Sequence, residues 1–258
     1  MTDHAHTGVG AVHAGHWEVS WAPIAIAFGA LFLVPLTFTS LLVYHLPLLA
    51  ILFAGVGVVL TMAGIGRWIY EGATQQGVIS NVSPVGIGVF IIGEALIFIG
   101  LFASYWVLRL GTGVNWPPAG TPEFNKVLPL AMTVLLVASS FTYHMAETRL
   151  HKGDRGGFFS ALGITLLLGA AFLSCTIYEY VHLYSEGFTP GTNQYSAAFF
   201  SLTGFHASHV FVGLATFLGV AWGVARNKIN PLFVMVAGIY WHFVDVVWFF
   251  VASQVYFW

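Results

Sequence analysis

The sequence predicts an all-α membrane protein of seven transmembrane helices, and three observations carry that prediction. Of 258 residues, 58% are hydrophobic and only 7% charged, against roughly 25% charged in an ordinary soluble domain, and the mean hydropathy is +0.83. Seven apolar stretches are each long enough to cross a hydrocarbon core that needs ~20 helical residues. Short polar segments rich in Pro, Gly and Asn separate them.

Taken in order, residues 1–19 form a polar tail, "MTDHAHTGVGAVHAGHWEV", with no Lys, no Arg and no long apolar run. It lacks both parts of a secretory signal. His4, His6, His13 and His16 lie on a Gly/Ala-rich stretch with nothing to fix their rings, so they read as a solvated tail that docks on a neighbour rather than a metal site. The first two spans, 20–44 and 47–67, are divided by "HLP" at 45–47. The third, 84–109, follows "SNVSP", with Pro84 as a first-turn proline behind Ser83. The fourth, 126–144, follows "NWPPAGTPEF", and the fifth, 158–184, follows "HKGDRGG". The sixth, 195–225, follows "FTPGTNQ"; as one helix it is ~46 Å long, so it tilts or projects beyond the ~30 Å core. The seventh, 231–257, opens with Pro231 behind Asn230, the same arrangement as the third.

Charge sets an orientation. With the N-terminus inside, Arg67, Arg149, Lys152, Arg155, Arg226 and Lys228 fall on the inner side and only Arg109 and Lys126 outside, as the positive-inside rule requires. Seven spans then carry the C-terminus outward. Most tryptophans sit near span ends, as an aromatic belt places them; Trp241 and Trp248 are exceptions that flank Asp245.

Several functions are set aside. A net charge of −2 gives no basic field for nucleic acid. Cys175 is the single cysteine, so no intramolecular disulfide, CxxC pair or thiolate cage can form. The chain has no Walker loop, no GxGxxG opening a helix, no GxSxG and no HExxH. Nothing points to an active site standing alone.

The polar groups at membrane depth are few. Glu94, in "FIIGEALIFIG", is mid-span; there a carboxyl is either neutral and bonded to a neighbouring helix, paired, or a stop on a proton route. Glu179, in "CTIYEYVHLY", has His182 at i+3 and reads as one half of an interfacial hydrogen-bonded pair. His206 and His209, also three apart, are either two neutral histidines satisfied by Ser208, Thr203 or a backbone carbonyl, or the start of a metal site with His242 as a third ligand. His242 and Asp245 repeat that spacing, so the carboxylate is expected to meet the imidazole on its own helix and to accept from Trp241 or Trp248. The five groups His206, His209, His242, Asp245 and Glu179 thus read as a buried polar clamp between helices, and the last helix equally as part of a proton path.

Three stretches, "GIYWHFVDVVWFF" at 238–250, "FFSLTGFHASHVFVG" at 199–213 and "FIIGEALIFIGLFASYW" at 90–106, resemble the signature segments of subunit III of cytochrome c oxidase, in the haem-copper oxidase superfamily. "WPP" at 116–118, "HKGDR" at 151–155 and "YEY" at 178–180 fall in the family's order, and the similarity runs over nearly the whole chain. The resemblance implies a two-helix hairpin at 20–68 and an inner-side connection at 69–83. It further implies a five-helix bundle at 84–258, splayed from the hairpin by a V-shaped, phospholipid-filled cleft. It implies a chain without haem, copper or other metal of its own, and without catalytic residues, in a bacterial plasma membrane. Its implied partners are the catalytic subunit I, which holds haem and copper, subunit II, other respiratory subunits and phospholipids. Glu94 matches the family's buried third-helix glutamate, which faces the catalytic subunit and supports proton uptake.

The sequence departs from the pattern after the second helix, where "GRWIYEGATQQGVISNVSP" is shorter and nearly neutral. Arg67, Trp68 and Glu71 remain there as candidates to hold a lipid headgroup, with Arg226 standing in for a displaced basic residue of the sixth helix. Quinol oxidases and nitric-oxide-reductase accessory proteins have subunits of similar type, and the two N-terminal spans favour cytochrome c as donor. A stand-alone proton channel or metal-dependent membrane enzyme built on Glu94, His206, His209 and Asp245 is the reading from another class.

Overall fold

The computed structural model describes residues 20–74, 82–112 and 116–257. The histidines of the N-terminal tail therefore lie outside the described residues. Seven helical segments among those described are long and apolar enough to cross a membrane. The described residues fall into two compact units, one ending at Trp68 and one running on from Ile69.

The first unit is a hairpin. Helix α1, Ala22–Leu31, runs on through two wider π-helical turns, Phe32–Leu36 and Thr39–Val43. Pro35 lies inside the first of these; proline cannot donate to the preceding turn, and a widened turn absorbs the missing bond. Thr37 Oγ1 donates to the Phe32 carbonyl at 2.8 Å, a further local adjustment. The chain reverses at His45, whose φ is +53°, and α2, Pro47–Thr74, returns. Small residues let these helices touch at backbone distance. A Cβ on Gly57 would lie 2.9 Å from the Gly29 carbonyl oxygen, and one on Gly64 would lie 3.0 Å from that of Ala22. In a membrane, where lipid tails compete for apolar side chains, such close backbone packing is a main source of helix association.

The second unit holds α3, Val82–Thr112; α4, Val127–His151; α5, Arg155–Ser185; α6, Gln194–Ala225; and α7, Pro231–Tyr256. Helix α7 packs against α3, α4 and α6, while α5 lies against α4 and α6. This explains why α7 is the most enclosed of the spans. Trp241 and Trp248 are among its fully buried side chains. Phe172 meets Trp248 edge to face at 4.8 Å, and Tyr143 stacks on Phe217 at 4.2 Å.

Helix starts follow local chemistry. Asp154 accepts from the Gly157 N–H at the head of α5, and Asn193 and Ser196 cap each other's backbone at the head of α6. Asn230 accepts from the Leu232 N–H with Pro231 beside it, as the sequence predicts. At the third span the helix begins earlier, at Val82, so Ser83 stands inside the first turn rather than ahead of it. Helix α4 runs to His151 instead of ending at 144, and α2 runs to Thr74 instead of 67. The hydropathy pattern marks where apolar surface ends, whereas backbone hydrogen bonding continues into the polar zone.

Candidate functional site: a polar seam between the bundle helices

The polar residues of α7 are satisfied chiefly by α4, through hydroxyl groups. Trp241 Nε1 donates to Ser139 Oγ at 2.9 Å, and Trp248 Nε1 donates to Thr133 Oγ1 at 2.9 Å. Tyr143 OH donates to the Val234 carbonyl at 2.7 Å. Ser140 Oγ donates to Asp245 Oδ2 and lies 3.0 Å from His242 Nδ1. A hydroxyl has one proton, so with that proton on Asp245 the His242 Nδ1–H must donate to Ser140. The order is His242, Ser140, Asp245.

This corrects two expectations. His242 and Asp245 do not pair directly; Ser140 stands between them. Asp245 accepts from neither tryptophan, because both indoles reach α4 hydroxyls. Residues three apart are separated by about 60° around a helix, enough for a neighbouring helix to insert a side chain.

A second crossing joins α3 to α6. His209 Nε2 lies 3.1 Å from Glu94 Oε2, while its Nδ1 lies 2.8 Å from the Phe205 carbonyl. A carbonyl only accepts, so Nδ1 carries hydrogen. The Glu94–His209 contact therefore holds one proton, on the carboxyl or on the ring, and is neutral overall in either form. Tyr240 OH donates to the His209 carbonyl at 3.2 Å, tying α7 to the same turn.

The third crossing joins α5 to α7: Tyr256 OH donates to Glu179 Oε2 at 2.6 Å. His182 does not pair with Glu179, as the spacing suggests, but lies 3.4 Å from Glu186 one turn on. Glu179 is buried and faces the bundle, whereas the ring of His182 is exposed.

His206 is the group the sequence placed least well. It is fully buried, 5.1 Å from the Trp248 ring and 5.6 Å from Phe172. Neither of its nitrogens has a hydrogen-bond partner among the described residues. Ser208 and Thr203 are engaged elsewhere, Ser208 on the Phe205 carbonyl and Thr203 on the Phe199 carbonyl and Tyr180 OH. His206 faces α5 and α7, His209 faces α3 and His242 meets α4, so the three imidazoles do not converge. No group of three or more His, Cys, Asp or Glu among the described residues is placed to hold a metal ion.

The headgroup candidates divide between the units. Arg67 and half-exposed Trp68 end the first, and Glu71 belongs to the second. Arg226 follows α6, its guanidinium 5.7 Å over the ring of Trp222. The residues that sequence reasoning missed are Thr133, Ser139, Ser140 and Tyr256. The adjacent serines in "LLVASSFTYH" were the available signal: consecutive hydroxyls in mid-span need partners.

These features define a multi-pass membrane chain whose buried polar groups tie its helices to one another. The chain matches the model of the family "Cytochrome c oxidase subunit III" over residues 13–258, and it belongs to that family. Among its relatives is a "Cytochrome c oxidase subunit 3" of Thermostichus vulcanus, 40% identical over 176 residues, which cover 67% of this chain and 85% of the relative. A protein of the same name from Synechocystis sp. is 38% identical over 175 residues, 66% of this chain and 73% of the relative. A "Probable cytochrome c oxidase subunit 3" of Nocardia farcinica is 39% identical over 180 residues, 69% and 88% of the two chains. The chain is thus a subunit of an oxidoreductase complex of the respiratory membrane.

Proposed function

We propose that this chain is the non-catalytic third subunit of a proton-pumping terminal oxidase that takes electrons from cytochrome c. In this reading it binds the catalytic subunit I, with subunit II and further respiratory subunits in the same complex. It supports proton uptake, retains phospholipids and contributes no haem, copper or other metal. The membrane is the bacterial plasma membrane, with the N-terminus inside and the C-terminus outside. The division into tail, hairpin, connection and five-helix bundle at 1–19, 20–68, 69–83 and 84–258 belongs to the same proposal. So do a lipid-filled cleft between hairpin and bundle and a headgroup site using Arg67, Trp68, Glu71 and Arg226.

One observation carries the proton-uptake reading: Glu94 and His209 share a proton in mid-span, and the Glu94 side chain is still 20% exposed. A carboxyl used only to bind helices together has no need of an open edge. The other polar contacts support a structural share for the clamp residues His206, His209, His242, Asp245 and Glu179.

The test begins with gentle solubilisation of a tagged chain, followed by a visible spectrum and a gel. The expected result is co-purification with a large haem-bearing chain, with no metal retained once this chain is isolated. A colourless 28.0 kDa protein carrying transport or catalytic activity by itself would overturn the reading. A complex oxidising quinol but not cytochrome c would move it to the quinol branch.

A further inference from the structure

Helix α7 meets α3 on one side and α4 on the other, and presents an exposed stripe comprising His242, Val246, Phe249 and Phe250. Phe249 lines a shallow groove with Val134, Val137 and Phe141 of α4, whereas Phe250 meets Phe102 of α3 at 6.4 Å. The surface is apolar apart from imidazoles. His242 is exposed and lies within about 3 Å of the midpoint of its 26-residue helix. His144 is exposed on α4, about 8 Å from the midpoint of that 25-residue helix. Both depths fall inside a hydrocarbon core that extends ~15 Å on each side of its centre.

Lipid tails cannot satisfy these rings. The His242 Nδ1–H is committed to Ser140, so in the neutral ring Nε2 is a bare acceptor, and no hydrogen bond to it is found among the described residues. His144 likewise makes no hydrogen bond among the described residues, and Glu147 lies one turn further along α4, with Oε2 3.9 Å from where a Cβ on Gly238 would stand. Polar groups at this depth face protein or a water-filled space rather than lipid. An apolar border of Val134, Phe141, Val246 and Phe249, all at least half exposed, suits a packed helix and not a water channel.

We propose that this α4/α7 face is the docking surface for a membrane-spanning helix of a partner oxidase subunit, which presents an O–H or N–H donor to His242 Nε2. The inference rests on the reading that the chain works inside a multi-subunit oxidase. The complementarity is chemical: a donor at mid-bilayer set among apolar side chains.

Photo-crosslinking in the intact complex tests it, with p-benzoylphenylalanine placed at Val246 or Phe249, and at Leu167 or Ile177 of α5 as controls. Adducts to the haem-bearing chain from the first pair and not the second are expected. Adducts from α5 alone overturn the face and leave the complex standing; adducts to a second copy of this chain overturn the partner; adducts to lipid alone at every position also overturn the face. Absence of any haem-bearing chain from the purified material defeats the underlying reading instead. In parallel, His242→Leu is expected to lower retention of this chain on detergent challenge by about threefold, the size of an ordinary interhelical hydrogen bond. His242→Gln, which keeps an acceptor, is expected to retain it; equal retention of Leu and wild type overturns the donor.

Discussion

Trp241 and Ser139 meet at the buried centre of the α4/α7 seam, with the indole N–H donating to the serine Oγ at 2.9 Å. Both side chains are fully buried, and the Ser139 hydroxyl in turn donates to the Leu136 carbonyl of its own helix. One small hydroxyl thus secures the largest side chain of the core. Ser139→Ala leaves a buried indole donor unsatisfied and is expected to cost about 1 kcal/mol, at the lower end for an orphaned donor because membrane hydrogen bonds are modest. Thermal or denaturant unfolding of the purified complex reads the change, and an unaltered midpoint would show that the bond contributes nothing.

The same tryptophan sets a steric limit. A Cβ on Gly213 would come 2.5 Å from Trp241 Cε3, and one on Gly169 3.2 Å from its Cη2. Gly213→Val is expected to displace the indole and cost about 1 to 3 kcal/mol by overpacking. The loss should appear as poorer accumulation of this chain in membranes. A double variant that also carries Trp241→Phe, with its smaller ring, should recover part of it.

The Glu179–Tyr256 bond separates the two ends of one interaction. Tyr256→Phe removes the donor and leaves a buried carboxyl without that partner, expected to destabilise by about 1 to 3 kcal/mol. Glu179→Gln keeps an acceptor for the tyrosine and should cost less. Comparing detergent stability of the two variants checks the order, and a larger loss for Glu179→Gln contradicts it.

For Glu94 the prediction concerns proton content rather than shape. Glu94→Gln supplies an amide N–H to His209 Nε2 in place of a carboxyl, so the contact and the assembly should survive. The shared acid proton does not. Turnover or proton pumping by the assembled oxidase is expected to fall, and wild-type values for both would reduce Glu94 to a helix tie.

How much of this was readable in the sequence differs by level. Span number followed from apolar length, because a hydrocarbon core imposes a minimum on every helix that crosses it. Caps at Asn230 and Pro231 followed from local chemistry. Polar partners did not: His242 and Asp245 suggested each other by spacing, yet Ser140 joins them from a helix about 100 positions earlier. Spacing reports only neighbours on one helix, and α4's role depends on which helix packs beside it. Glu94 and His209 were each legible as polar groups at depth, but their meeting depended on the α3/α6 contact.

The hairpin of α1 and α2 has a consequence for how the protein is made. The contacts that close it, Gly57 on Gly29 and Gly64 on Ala22, are all formed within the first 68 residues. Its outward side chains, such as Leu48, Ile51 and Val59, are at home among lipid tails. Such a pair can settle in the bilayer while the ribosome is still translating α3, so that the remaining five helices enter a membrane already holding a finished neighbour.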